Sequence, residues 1–209
     1  MEQDALSAVI SWIKEAKKIV FLTGSELSLD LGIPDTGDLS FNPDIRLYKN
    51  NSDVRKDYWN KIKEYYPKIL ATAPSLAHEA IYEIELLYNV DSILTQCTDG
   101  LHAKAGSEKI FEIYSSISWV TCLDCGKDRK MDDVLVDIED KDALPVCVQC
   151  GSDQVKPPIS FPGQALPHWE IRESWIRLRD CDLFIIVGAN LEIEPVASFP
   201  FQVMNEGSK

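Results

Sequence analysis

The chain has 209 residues, 45% hydrophobic and 26% charged, enough for one substantial core with room for a small inserted module. Its formal net charge of -13, with lysines and arginines scattered, argues against nucleic-acid and anionic-membrane partners. It favours a basic ligand such as a lysine-bearing peptide, weakly at physiological salt.

The opening stretch M-E-Q-D-A-L-S-A-V-I-S-W is acidic and amphipathic, unlike an export signal. No apolar run approaches the ~18 residues that a membrane-spanning helix needs. A cytoplasmic location is expected. Residues 4–17 have helical spacing, with Leu6, Val9, Ile10, Ile13 and Ala16 on one side. The run I-V-F-L-T, Ile19 to Thr23, reads as a buried strand that enters Gly24-Ser25 directly. Residues 53–70 read as helix, and Pro74-Ser75 opens another carrying Leu76, Ala80, Ile84 and Leu87. Further strands are expected at Ser92–Thr95, Lys109–Tyr114 and Asp182–Gly188. Strands alternating with helices predict an α/β fold with a doubly wound, Rossmann-like parallel sheet. Ligands of such sheets bind beyond the carboxyl ends of the strands. Those ends are Thr23-Gly24-Ser25, Thr95-Gln96-Cys97, Tyr114 and Gly188-Ala189-Asn190.

Residues 118–156 differ in character, with two cysteine pairs, acidic residues and little helical patterning. Cys122-Leu-Asp-Cys125 and Cys147-Val-Gln-Cys150 each have the two-residue spacing that lets both thiolates of one turn reach one ion. Gly126 and Gly151 follow the pairs and tolerate the positive φ of a tight knuckle. Two such knuckles make a closed four-cysteine zinc site, which is structural because no coordination position is left for a substrate. Six cysteines in a chain without a recognisable export signal also suit reduced thiols better than disulfides. Cys181 reads as a small core hydrophobe and Cys97 as an inert thiol near the crevice.

Five ordered blocks carry a resemblance to the sirtuins, the NAD-dependent protein deacylases. Gly24-Ser25-Glu26-Leu27-Ser28 with Gly32-Ile33-Pro34-Asp35 is similar to the family's G-A-G-x-S…G-I-P-D-F-R. Thr95-Gln96-Cys97-Thr98-Asp99-Gly100-Leu101-His102 resembles T-Q-N-I-D-G-L-H. The cysteine pairs resemble the family's zinc ribbon, which implies a small zinc-ribbon module, 118–156, set into a main domain formed by 1–117 and 157–209. The segment from Lys156-Pro157 to Pro167 is similar to R-P-x-V-V-x-F-G-E-x-L-P, and the run from Gly188 to Pro195 to G-T-S-L-x-V-x-P. The resemblance implies an NAD cofactor and an acylated-lysine protein or peptide as partner. It implies that Gln96 bonds the ribose, that Asp99 bonds the nicotinamide amide, and that Ile33 and Asp35 line the nicotinamide pocket. Gly24, Ser25 and Ser28, with Gly188, Ala189 and Asn190, would form the rest of the cofactor-binding backbone.

The departures fall on the same blocks. Tyr114-Ser115 stands where the family has its catalytic His-Gly. An unperturbed phenol, pKa ~10, is a poor base at neutral pH, and losing a general base typically costs about 10²–10⁴-fold. Glu26 replaces the family's second loop glycine. A carboxylate ~5 Å from a diphosphate charge would cost about 3 kcal/mol at an effective dielectric near 20, or roughly a hundredfold in affinity. Asp35-Thr36-Gly37 replaces D-F-R, Cys97 replaces an asparagine, and Ala189-Asn190 replaces a Thr-Ser pair. Pro162 interrupts F-G-E in the strip that the family uses for peptide binding by strand addition. His78 and His102 match family positions: His78 reads as structural, His102 is not taken as a substitute for the missing base, and His168 reads as a surface residue opening a helix. The chain ends sooner after Pro195 than the family pattern does, which predicts an incomplete adenine pocket. Two expectations follow: a degenerate sirtuin with a residual binding role, or an NAD-consuming deacylase or mono-ADP-ribosyltransferase with a reassigned catalytic residue.

Overall fold

A computed structural model describes residues 2–33, 41–138 and 143–209. The expected crevice residue Asp35, with Thr36 and Gly37, lies outside them. The central sheet has four parallel strands in the order β3-β2-β1-β7, formed by β1 (Ile19–Thr23), β2 (Val90–Thr95), β3 (Ile110–Glu112) and β7 (Leu183–Val187). All five residues of β1 are buried, since it has a strand on either edge and helices over both faces. That is why its sequence is a continuous apolar run and not an alternation. Each fully buried aliphatic side chain there is worth about 1.5–3 kcal/mol.

One face of the sheet carries α1 (Glu2–Glu15) and α5 (Leu76–Leu87), packing Ile13, Ala16, Ala77, Ile81 and Ile84 on Ile19, Phe21, Ile93 and Leu183. The other carries α8 (His168–Leu178) and α9 (Phe199–Asn205), packing Ile171, Trp175, Leu178, Phe199 and Val203 on Val20, Leu22 and Leu94. The sheet is therefore doubly wound, as expected. Both amphipathic faces read from sequence need correction. Leu6, Val9 and Ile10 of α1 are 60%, 37% and 43% exposed, and Leu76 and Leu87 of α5 are 83% and 73% exposed. Only the part of each helix that lies over the sheet is covered.

A second core joins α3 (Ile45–Asn50) and α4 (Ser52–Ala71) to the cysteine module. Tyr48, Tyr58, Trp59 and Ile62 pack there with Val120, Met131, Val134 and Phe161. Arg55 pairs with Asp153 at 2.6 Å, and the Trp59 indole N–H donates to the Val155 carbonyl at 3.0 Å. The module holds a three-stranded antiparallel sheet, β5-β4-β6, from β4 (Trp119–Cys122), β5 (Asp128–Lys130) and β6 (Val155–Lys156), with α7 (Met131–Asp137). The helix α7 is absent from the sequence reading, because seven residues are too few for a clear period. Strand β3 is shorter than the expected Lys109–Tyr114, since Ser115 has φ +69° and turns the chain away from β2. Two short helices, α2 (Glu26–Leu29) and α6 (Leu101–Ala105), complete the loops beyond β1 and β2. Among the described residues no helix is long and apolar enough to cross a membrane.

Candidate cofactor crevice and metal centre

Four side chains of the cysteine module converge. The Sγ atoms of Cys122, Cys125, Cys147 and Cys150 all lie within 4.8 Å of one another, with Cys122 to Cys150 at 3.7 Å and Cys125 to Cys147 at 3.5 Å. A tetrahedron of Zn–S bonds near 2.3 Å has edges of about 3.8 Å, so the thiols already stand at zinc-ligand spacing. Each knuckle is closed by its glycine. Gly126 (φ +71°) donates to the Cys122 carbonyl at 2.9 Å, and Gly151 (φ +74°) to the Cys147 carbonyl at 2.8 Å. This is the geometry and ligand set of a structural zinc site, as the spacing predicted.

The strand-end loops of the main sheet also converge. The Gln96 backbone N–H donates to the Thr23 carbonyl at 2.8 Å and fixes the β2 loop on the end of β1. The Gln96 side-chain amide donates to the Asn190 carbonyl at 3.1 Å and to the Tyr114 hydroxyl at 3.4 Å, which ties together the loops after β2, β3 and β7. Ser28, on α2, donates from its hydroxyl to Asp99 at 2.7 Å, and the other Asp99 oxygen accepts from the Leu101 N–H at 2.9 Å. Thus Gln96, Asp99, Ser28, Tyr114 and Asn190 are brought together. Ile33 is not beside them: it is buried in the core shared by α4 and the cysteine module.

The first loop is pressed against the last. A Cβ on Gly24 would stand 2.3 Å from the Gly188 carbonyl oxygen and 2.4 Å from the Ala189 Cα. At Gly188, whose φ is +57°, a Cβ would meet Leu27 Cδ1 at 2.7 Å. Five backbone donors between Gly24 and Leu29 are engaged within the protein. Gly24 N–H donates to the Val187 carbonyl and Glu26 N–H to that of Gly188, at 3.1 and 3.3 Å. Leu27 N–H donates to Gly24, and those of Ser28 and Leu29 to the Ser25 carbonyl. A phosphate-cradling loop works by turning such N–H groups toward the anion. Here the N–H groups of Gly24, Glu26, Leu27, Ser28 and Leu29 have carbonyl partners instead. The Glu26 side chain is exposed beside them.

Beneath the crevice, His102 and His78 pack with ring centroids 4.6 Å apart. His102 Nε2 bonds the Thr23 hydroxyl at 2.8 Å, and burial, with a smaller effect from His78, lowers its pKa to about 3. It is therefore neutral at physiological pH. His78 Nδ1 closes the N-terminus of α5 on Ser75, 2.8 Å from the Ser75 hydroxyl. Both histidines are buried, and His168 is exposed at the start of α8. Cys97 and Cys181 are buried. The segment around Pro162 is a turn: Phe161 enters the core, Gln164 N–H bonds the Phe161 carbonyl at 2.9 Å, and the Pro162 carbonyl accepts from Ile45 at 3.0 Å. One feature escaped the sequence reading. Glu112, at the end of β3, is half-buried, and its carboxyl pKa is pushed up to about 7, chiefly by desolvation. The signal was present: Glu112 is the sole charged residue between Ile110 and Tyr114.

The Sir2 family pattern matches residues 38–195. An NAD-dependent protein deacylase of Archaeoglobus fulgidus is 30% identical over 99% of this chain and 83% of its own length. Among solved structures, Sir2 bound to an acetylated peptide superposes with a TM-score of 0.86 at 29% identity, over 98% of this chain and 84% of that one. A Sir2 carrying a histidine-to-tyrosine mutation, with a p53 peptide and NAD, matches with a TM-score of 0.83 at 28% identity, over 97% and 83%. The chain belongs to the Sir2 family, the NAD-dependent protein deacylases.

Proposed function

We propose that this chain is a sirtuin in which deacylation is weakened or lost and a binding role remains. What carries the reading is the fate of the first loop. The N–H groups of Gly24, Glu26, Leu27, Ser28 and Leu29 are spent on carbonyls of the same loop pair, so a diphosphate would have to displace internal bonds before it gained any. The Glu26 carboxylate adds repulsion. At the other end of the crevice Gln96, Asp99 and Ser28 remain assembled and would hold the nicotinamide ribose, which is the chemistry NAD supplies to the family. Tyr114 stands at the family's histidine position, positioned by the Gln96 amide as a hydrogen-bonding group and not as a base. A Sir2 with a histidine-to-tyrosine exchange has been captured with both a p53 peptide and NAD, which supports binding without the base. An acylated-lysine peptide is the fitting partner class, although the turn at Pro162 gives it fewer main-chain bonds. In this reading 118–156 is an inserted zinc module on a domain of 1–117 and 157–209, and the protein is cytoplasmic and binds no nucleic acid.

Calorimetric titration of the zinc-loaded protein with NAD, paired with an assay for released nicotinamide, tests this. The expected result is binding no tighter than millimolar and no release above background. Micromolar binding with nicotinamide release would overturn it. The second reading, an active deacylase or mono-ADP-ribosyltransferase, is favoured by the intact Ser28–Asp99 contact. It requires that Asp99→Asn abolish nicotinamide release, and unchanged release would remove Asp99 from the pocket.

A further inference from the structure

On the α1/α5 face, behind the first loop, an open groove of about 660 Å³ runs between α2 and the start of α5. Leu27, Leu31, Leu76, Ala77 and Val187 line it, and Glu26, Asp30 and Glu79 stand around it. No lysine, arginine or histidine is among its described lining residues. Glu26 opens α2 and Asp30 caps its end, while Glu79 stands in the first turn of α5, so the fold brings carboxylates of two separate elements to one groove. Leu76 is 83% exposed at the first position of α5 and contributes little to the core of this chain.

We infer that this groove docks a basic amphipathic helical segment of a partner protein, with leucine-like side chains on the apolar floor and lysine or arginine facing Glu26, Asp30 and Glu79. Charge complementarity selects the occupant. An apolar floor alone would take any hydrophobic segment, but three uncompensated carboxylates on a chain of net charge -13 repel acidic ones. An apolar stripe flanked by cations is the form in which a helix enters such a groove. Gly188 and Leu27 line both the groove and the loop contact that crowds the crevice. A docked segment therefore touches the outer side of the cofactor loops. The inference does not depend on whether NAD is bound or consumed.

The test is fluorescence anisotropy at physiological salt with a labelled twelve-residue peptide, leucine at i, i+3, i+4 and i+7 and lysine elsewhere. The full zinc-loaded chain should bind it, and a version with glutamate for lysine should not bind. Glu79→Lys and Leu76→Ser, both at exposed positions, should each weaken binding at least tenfold. Glu64→Lys, on α4 in the other lobe, makes the same charge change away from the groove and should alter affinity less than twofold. Failure of the lysine peptide to bind, equal binding of the glutamate version, equal weakening by Glu64→Lys, or an unaffected Leu76→Ser variant would each overturn the assignment. Circular dichroism of every variant confirms that the fold is retained.

Discussion

Replacing Gly24 with alanine tests whether the two cofactor loops are closed on each other as the geometry requires. The added Cβ would lie 2.3 Å from the Gly188 oxygen, 2.4 Å from the Ala189 Cα and 2.9 Å from the Gly188 carbonyl carbon. All three are backbone atoms, so no side chain can rotate to make room. The β1 and β7 loops must separate by about 1 Å to reach ordinary contact distances near 3.5 Å. Separation stretches the Gly24–Val187 and Glu26–Gly188 hydrogen bonds, now 3.1 and 3.3 Å. Two such bonds are worth about 0.5–1.5 kcal/mol each, and overpacking a tight site costs about 1–3 kcal/mol. The expected loss is therefore about 2–6 kcal/mol, which lowers Tm by roughly 4–24 °C for a chain of this length. Urea unfolding followed by tryptophan fluorescence measures it. Gly32→Ala is the comparison, because its Cβ would meet nothing within 4 Å and only the φ of +72° is strained. That variant should lose about 1–2 kcal/mol. A Gly24→Ala loss below that of Gly32→Ala would refute the closed-loop geometry, and with it the argument that the loop donors are spent.

Zinc chelation should lower the melting temperature and expose the core shared by α4 and the cysteine module, because structural zinc contributes folding energy. A melt unchanged by chelator would remove the metal from Cys122, Cys125, Cys147 and Cys150. Tyr114→His alone should raise nicotinamide release by much less than the ~10²–10⁴-fold of a restored base, since the first-loop donors remain engaged, and Tyr114→His with Glu26→Gly should raise it further. A full restoration by the single change would place the whole deficit on the base. Glu112→Gln should be stabilising at pH 8, on the order of 2 kcal/mol, and close to neutral at pH 5. The sign follows from a carboxyl pKa raised from 4.5 to about 7 by folding: the native state holds the proton, and stability is lost as pH rises through that window. A destabilised variant at pH 8 would mean that the carboxylate is satisfied when charged. His102 acts at the acid end. Its pKa falls from 6.5 to about 3 on folding, so its contribution is present above pH 6.5 and lost as pH falls toward 3. Stability of His102→Gln that is equally steep in acid, followed by chemical unfolding, would remove that assignment.

The amino-acid sequence by itself determined the features whose cause is local. Ile19 to Thr23 reads as a buried strand because its neighbours on both edges and faces leave no polar side, and the run shows it. The two cysteine pairs with their glycines specify the zinc knuckles, since the ligands of each half-site lie within one turn of chain. Gln96 and Asp99 could be placed beyond the end of β2, and Tyr114 beyond β3, because parallel sheets put their sites there. Only the tertiary structure decided what depends on contacts between distant segments. Leu6, Val9 and Ile10 lie on an amphipathic helix whose apolar stripe extends past the sheet, so the period is right and the burial is not. Ile33 enters the core of the other lobe. Glu112 is half-buried between groups of α6 and α8, so its proton affinity is a property of the assembled fold. Above all, the state of the first loop rests on Gly24 and Glu26 bonding to Val187 and Gly188, some 160 residues along the chain. No local pattern encodes whether a backbone N–H faces an anion or a neighbouring carbonyl, because every residue but proline carries the same donor.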